Sequence, residues 1–269
     1  MKAGFIQFAP VLGDAIATLS QIENLLAVAA EADLLVLPEL CHSGYRFRDR
    51  REALAASETV ADSAFLRFLE TFCSRRKCHV VAGFNERDSD RLYNTAVLVG
   101  PNGMTGKYRK LHLFLDEKDI FTPGDLGLPV FEIGSCKLGL LICFDWYFPE
   151  AWRALALKGA EIICHPSNLV IPGLCQRAVP THAICNRVFI ITANRTGTER
   201  DLTFTGRSII VNPHGEVLHE ASPDRDEAFV AEIEIAQARD KWITPRNHAL
   251  EDRRPAEYVA VTEQRPVHS

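Results

Sequence analysis

A chain of 269 residues, 47% hydrophobic and 24% charged, carries enough apolar material for one large core. Its formal net charge of -5 comes from acids and bases mixed along the chain, and the missing basic block excludes a dedicated nucleic-acid binder. No apolar run reaches bilayer length and MKAGFIQFAPVLGD lacks a signal peptide's continuous hydrophobic region, so no membrane partner and a cytoplasmic location are expected.

In chain order, AGFIQFA (3–9) reads as a strand, and residues 16–31 as a helix with Ile16, Leu19, Ile22, Leu26 and Ala29 on one stripe. LLVLPE (34–39) is a strand, a helix follows near 61–76, and HVVAGF (79–84) and TAVLVG (95–100) are strands. Asn102-Gly103 then reads as a hairpin turn. VFEIG (130–134) and LGLLIC (138–143) are strands, 149–158 a helix, EIICHP (161–166) a strand and 176–187 a helix. VFIITAN (188–194), GRSIIVN (206–212), GEVLHE (215–220) and FVAEIEI (229–235) complete the strands, with a second hairpin turn at Pro213-His214-Gly215. Strands interspersed with helices over this length predict a single layered α/β domain, 1–269, with mixed sheets. The segment 241–269, rich in Arg and Pro, has Trp242 and Ile243 among charges and no evident strand or helix. It is expected to wrap the surface or a partner subunit.

Three places put chemistry beside strands. Leu138 to Ile142 is a nearly unbroken apolar run, so Cys143 stands at the C-terminal edge of a buried strand. Pro149 and Glu150 suit a first helical turn, and Gly159 a stop. Ligands bind at that edge in open α/β sheets, which makes Cys143 a candidate nucleophile, although a buried core cysteine is the commoner fate. Glu39 follows Leu-Pro at another strand end; partial desolvation there would make it a better proton acceptor, whereas a solvent-facing position would leave it ordinary. Residues 106–125 hold Lys107, Arg109, Lys110 and Lys118, which alone read as solvated surface charge, the usual fate of lysine, and decide nothing about function. The eight cysteines include no Cys-x-x-Cys pair, and the histidines no His-Glu-x-x-His pattern, so no metal is expected. A site assembled from His42, His112 and His165 is the lesser alternative.

Together these places become specific. Leu37-Pro38-Glu39, Tyr108-Arg109-Lys110-Leu111-His112-Leu113-Phe114, and Ile142-Cys143-Phe144-Asp145 with Phe148-Pro149-Glu150 occur in this order. Tyr93-Asn94-Thr95, Pro123-Gly124-Asp125, Lys158-Gly159-Ala160-Glu161, Asn194-Arg195 and Gly206-Arg207-Ser208 accompany them. The chain resembles the nitrilase superfamily of carbon-nitrogen hydrolases. The resemblance implies a four-layered α-β-β-α sandwich and cofactor-free, thiol-dependent hydrolysis. In it Cys143 is the nucleophile, Glu39 the base, Lys110 with the Phe144 N–H the oxyanion donors, and Glu117 a second, positioning glutamate. Tyr45 and Asn168 become pocket neighbours by the same resemblance. Cys143-Phe144-Asp145 leans toward a small amide as substrate, with nitriles and then N-carbamoyl amides as alternatives, and a catalytically idle scaffold as the alternative of another class. Trp146 and Tyr147 stand where carbamoyl-amino-acid hydrolases carry arginines, which suits a neutral acyl group; Trp146 suits packing under the turn equally. Cys185 replaces the family's usual glutamate, which puts local hydrogen bonding in doubt. The resemblance also implies a homodimer or larger even-numbered assembly.

Overall fold

The computed structural model describes residues 1–134 and 136–263; the last six residues of the expected tail lie outside them. In chain order the strands are β1 (Lys2–Gln7), β2 (Leu34–Val36), β3 (His79–Asp88), β4 (Arg91–Gly100), β5 (Gly103–Arg109), β6 (Val130–Ile133), β7 (Cys136–Leu140) and β8 (Ile162–Pro166). They continue with β9 (Phe189–Ala193), β10 (Thr198–Glu199), β11 (Leu202–Thr203), β12 (Ile209–Val211), β13 (Val217–Glu220), β14 (Glu227–Glu232), β15 (Trp242–Thr244) and β16 (Asn247–His248). The α-helices are α1 (Ala15–Val28), α2 (Arg50–Ala55), α3 (Ala64–Arg76), α4 (Glu117–Ile120), α5 (Pro149–Leu157), α6 (Leu174–Asn186) and α7 (Ala236–Arg239).

Two six-stranded sheets result, in the orders β14-β1-β2-β3-β4-β5 and β13-β12-β9-β8-β7-β6. Each is mixed: β1-β2-β3 and β7-β8-β9 run parallel, and the flanking strands are antiparallel. Period-two alternation assigns the faces. Phe5, Leu34, Val36, Val81 and Leu98 turn inward to meet Leu138, Leu140 and Ile162 of the other sheet. Ile6, Leu35, Val80 and Val97 turn outward under Ile22 and Leu26 of α1 and Phe65 and Leu69 of α3. Trp152 and Leu155 of α5 and Val179 and Ala183 of α6 cover the second sheet. The layers are therefore α-β-β-α, each fully buried Leu or Phe contributing about 1.5–3 kcal/mol of transfer free energy.

Local signals hold where the sequence reading placed them. Asp14 caps α1 by accepting from Ala17 N at 3.0 Å, Ser63 caps α3 through Leu66 N at 2.9 Å, and both expected hairpins form. Two expectations are corrected, and one strand is added. Ile16 is 83% exposed, because the buried face of α1 runs through Thr18, Ile22 and Leu26 at spacing four. The partner strand of the Asn102-Gly103 hairpin, which has no apolar run, is β5: GMTGKYR pairs along β4. The segment after residue 240, expected to have no strand or helix of its own, contains the β15–β16 ribbon; Lys241 Nζ donates to Arg187 O at 2.7 Å and Arg153 Nη1 to Ala249 O at 3.3 Å. Beside it Cys185 is exposed, and its carbonyl accepts from Arg153 Nη2 at 2.7 Å.

Candidate active site

Both sheets deliver polar side chains to one end of the inter-sheet core. After β7 the chain runs through Leu141 and Ile142 into a 3-10 turn, Cys143–Tyr147, whose first residue has φ 41. The left-handed conformation is costly for a residue with a side chain, of order 1–3 kcal/mol, and needs surrounding bonds to hold it. Asp145 supplies them: its carboxylate accepts from Ile142 N and Tyr108 Oη at 2.8 Å each, and pairs with His112 Nδ1 at 2.7 Å. On the other side His165 Nε2 donates to Cys143 O at 2.8 Å. Burial pulls the His165 pKa down to about 4, so the ring is neutral and places its proton on Nε2. Because the peptide is trans and planar, fixing the Cys143 carbonyl toward His165 aims the Phe144 N–H in the opposite direction. Burial pushes the Cys143 thiol well above its usual range, the Glu39 charge adding to this and Lys110 opposing it.

The charged half comes from the first sheet. Glu39 is fully buried just past β2, against β3. A Cβ on Gly83 would fall 2.4 Å from the Glu39 Cα and 2.2 Å from Leu40 N, so glycine is what lets β3 approach this closely. Lys110 Nζ, also buried, bonds Glu39 Oε1 at 2.6 Å and Glu117 Oε1 at 2.8 Å. Asn94 Nδ2 on β4 reaches Glu39 Oε1 at 2.7 Å, Asn168 Nδ2 holds the Glu39 carbonyl at 2.9 Å, and Tyr45 Oη bonds Glu117 Oε1 at 2.7 Å. Burial opposes the Lys110 charge, but Glu117 and Glu39 outweigh it and hold the ammonium above the usual lysine range. Glu117 is pushed up to about 7, by burial and by Glu39, against the pull of Lys110.

A narrow pocket opens beside the nucleophile candidate, lined by Phe114, Cys143, Phe144, Trp146, Asn168, Leu169, Val170 and Ile171. The structure thus gathers Glu39, Lys110, Glu117 and Tyr45 into one hydrogen-bonded cluster, and Cys143, Phe144, Trp146 and Asn168 around one pocket. Asn168 joins the two groups. Trp146 both lines the pocket and packs on the core, so its two readings are compatible. His42, His112 and His165 do not converge: His42 is stacked between Phe65 and Phe84, and the other two serve opposite sides of the Cys143 turn. Three contributors have no such role assigned from the sequence. They are Asn94, His165, and Glu199, which accepts from Tyr45 N at 2.8 Å and pairs with Arg195 Nη1 at 2.8 Å to fix the Tyr45 loop. A polar residue interrupting a buried apolar strand, as His165 and Asn94 do, was the available signal.

The carbon-nitrogen hydrolase family model matches residues 2–241. A nitrilase of Pyrococcus abyssi is 44% identical over 260 residues, 96% of this chain and 99% of that protein. Among solved structures, a carbon-nitrogen hydrolase from Helicobacter pylori G27 superposes with TM-score 0.87 at 29% identity, covering 98% and 99% of the two chains. A variant of the amidase from Nesterenkonia sp. AN1, with the acetamide moiety of fluoroacetamide covalently added at its active-site cysteine, superposes with TM-score 0.80 at 26% identity, covering 97% and 96%. With the family matched over that span and the fold shared, the chain belongs to the carbon-nitrogen hydrolase family of the nitrilase superfamily.

Proposed function

We propose that this enzyme hydrolyses a small uncharged carboxamide through a thioester on Cys143. The observation that carries the reading is the link between the buried Glu39–Lys110–Glu117 cluster and the largely apolar pocket containing the thiol: Asn168 lines that pocket and donates to the Glu39 carbonyl, and the cluster's charges act on Cys143. Glu39 takes the thiol proton as Sγ bonds the carbonyl carbon. Charge that develops on the carbonyl oxygen meets the Lys110 ammonium and the Phe144 N–H. Collapse breaks the C–N bond, Glu39 returns its proton to the nitrogen, and ammonia leaves a thioester. A water molecule then gives a proton to Glu39 and its oxygen to the acyl carbon, releasing the acid and restoring the thiol. Glu117 and Tyr45 hold the ammonium in place during both halves.

The pocket lining holds no cation, and the nearby Arg195 is engaged by Glu199. This disfavours carbamoyl substrates bearing a carboxylate. Nitrile hydrolysis is a second reading, favoured by the 44% identical nitrilase of Pyrococcus abyssi. The same thiol adds to a nitrile carbon, and water addition to the thioimidate gives the tetrahedral species that the amide reaches directly. Ammonia release across small primary amides, nitriles and N-carbamoyl amino acids tests the proposal. Aliphatic amides should show the largest kcat/KM and carbamoyl amino acids the smallest. Nitriles ahead of amides would put the second reading first, and turnover of carbamoyl acids alone would contradict both.

A further inference from the structure

The cluster distinguishes the two oxygens of Glu39. Oε1 accepts from Lys110 Nζ at 2.6 Å and from Asn94 Nδ2 at 2.7 Å. Oε2 is equally buried and has no partner among the described residues. Folded proteins rarely leave a buried carboxylate oxygen unbonded, and where they do the group calls for an explanation. Asn94 is 1% exposed, and its amide orientation follows from chemistry: facing a carboxylate, which only accepts, the Nδ2 end must be the one that donates. The backbone of the same residue accepts from Lys110 N at 2.8 Å. One residue of β4 therefore ties the Glu39 carboxylate and the backbone of Lys110 to a common frame.

We propose that Asn94 is a positioning residue that selects which oxygen of Glu39 exchanges protons: Oε1 is saturated by two donors, so Oε2 takes the proton from Cys143 Sγ and later returns it. This rests on the reading of Glu39 as the base. During the transfer the S–H bond breaks, an O–H bond forms at Oε2, and the two bonds to Oε1 persist. Without Asn94 the carboxyl group loses one of its two donors and can turn about its last side-chain bond. The bare oxygen is then no longer held in one orientation, and ionised carboxylate is less well stabilised. The charged and titratable groups around it are Lys110 at the end of β5, Glu117 of α4, Tyr45 in the loop after β2, Cys143, and Arg195 after β9, and all remain in the variants below.

The test is the rate of Cys143 alkylation by iodoacetamide as a function of pH, read by peptide mass so that the exposed Cys185 is counted separately. It is run on the wild type, Glu39→Gln, Asn94→Ala and Asn94→Asp, with kcat/KM measured in parallel. Asn94→Ala should move the acidic limb of both profiles upward by about one pH unit and lower kcat/KM about tenfold with little change in KM. Asn94→Asp keeps the shape but loses the donor when ionised, so it should fall further than alanine. A packing role predicts the reverse order and an unmoved limb, and either result would overturn the proposal. Should Asn94→Ala fail to fold, Asn94→Ser carries the same test with a smaller shift. If Glu39→Gln itself left alkylation unchanged, the reading of Glu39 as base would fail first; if it slowed alkylation while the Asn94 variants did not, only the inference about Asn94 would fail.

Discussion

Arg109 and Lys110 are neighbours in the chain, yet they enter two buried ionic clusters of opposite character. Arg109 is wrapped completely: its guanidinium reaches Glu86 at 2.6 and 3.0 Å, Asp88 at 2.7 Å and Asp125 at 2.9 Å, and lies 3.6 Å over the Tyr93 ring. Lys107 and Thr95 add donors to Glu86, so both of its oxygens are bonded. Burial works against the Glu86 charge, but these partners hold its pKa below the usual carboxylate value. Lys110, in contrast, is one ammonium shared by two buried carboxylates, one of them with an oxygen left bare. A saturated network rigidifies; an incomplete one retains a group that still seeks a proton. On the proposed reading, the sheet edge uses one cluster to hold the strands and the adjacent one for chemistry.

The contrast breaks most sharply under substitution. Arg109→Met removes the guanidinium that bonds both oxygens of buried Glu86, leaving Lys107 and Thr95 as its partners, and should cost about 3 kcal/mol in urea unfolding, with activity lost only as the fold is lost. Glu39→Gln should do the opposite. Glutamine still accepts from Lys110 and Asn94, and the crowding of two carboxylates is relieved, so stability should hold or rise while kcat drops by ~10²-fold or more. A destabilised Glu39→Gln, or a stable Arg109→Met, would erase the distinction between the clusters.

A smaller effect sharpens it. Glu117 holds its proton up to about pH 7 in the folded chain, against a reference value of 4.5. The folded state therefore binds the extra proton between those values. The contribution to stability is fully present below the lower value and is lost as pH rises through the higher one, by about 3 kcal/mol at most. Glu117→Gln should remove that loss, so that the gap in urea midpoint between about pH 5 and about pH 8 narrows relative to wild type. An unchanged gap would show that burial and the Glu39 charge do not hold the proton on Glu117.

Much of this architecture was legible because it is periodic or local. Alternating apolar residues placed most strands, Asn102-Gly103 and Pro213-His214-Gly215 placed two hairpins, and the contexts around Glu39, Lys110 and Cys143 marked the residues that converge. What escaped depends on contacts far apart in sequence. β5 is a strand because β4 pairs with it, and its basic residues are buried by acids of β3, which no window along GMTGKYR reveals. Ile16 looked like part of a stripe, but the sheet meets α1 through Ile22 and Leu26. His165 and Glu199 are single polar residues whose partners, Cys143 and Tyr45, lie 22 and 154 positions away.

The most direct measurement is intact-protein and peptide mass after rapid quenching of the enzyme with an aliphatic amide that it turns over. A thiol activated by the incomplete cluster should carry the acyl group on the Cys143 peptide in the wild type, accumulate it far more slowly in Glu39→Gln, and show none in Cys143→Ala, which should also lack turnover. An acyl group on Cys41 or Cys164, or full turnover by Cys143→Ala, would contradict the assignment of the nucleophile and of the cluster that serves it.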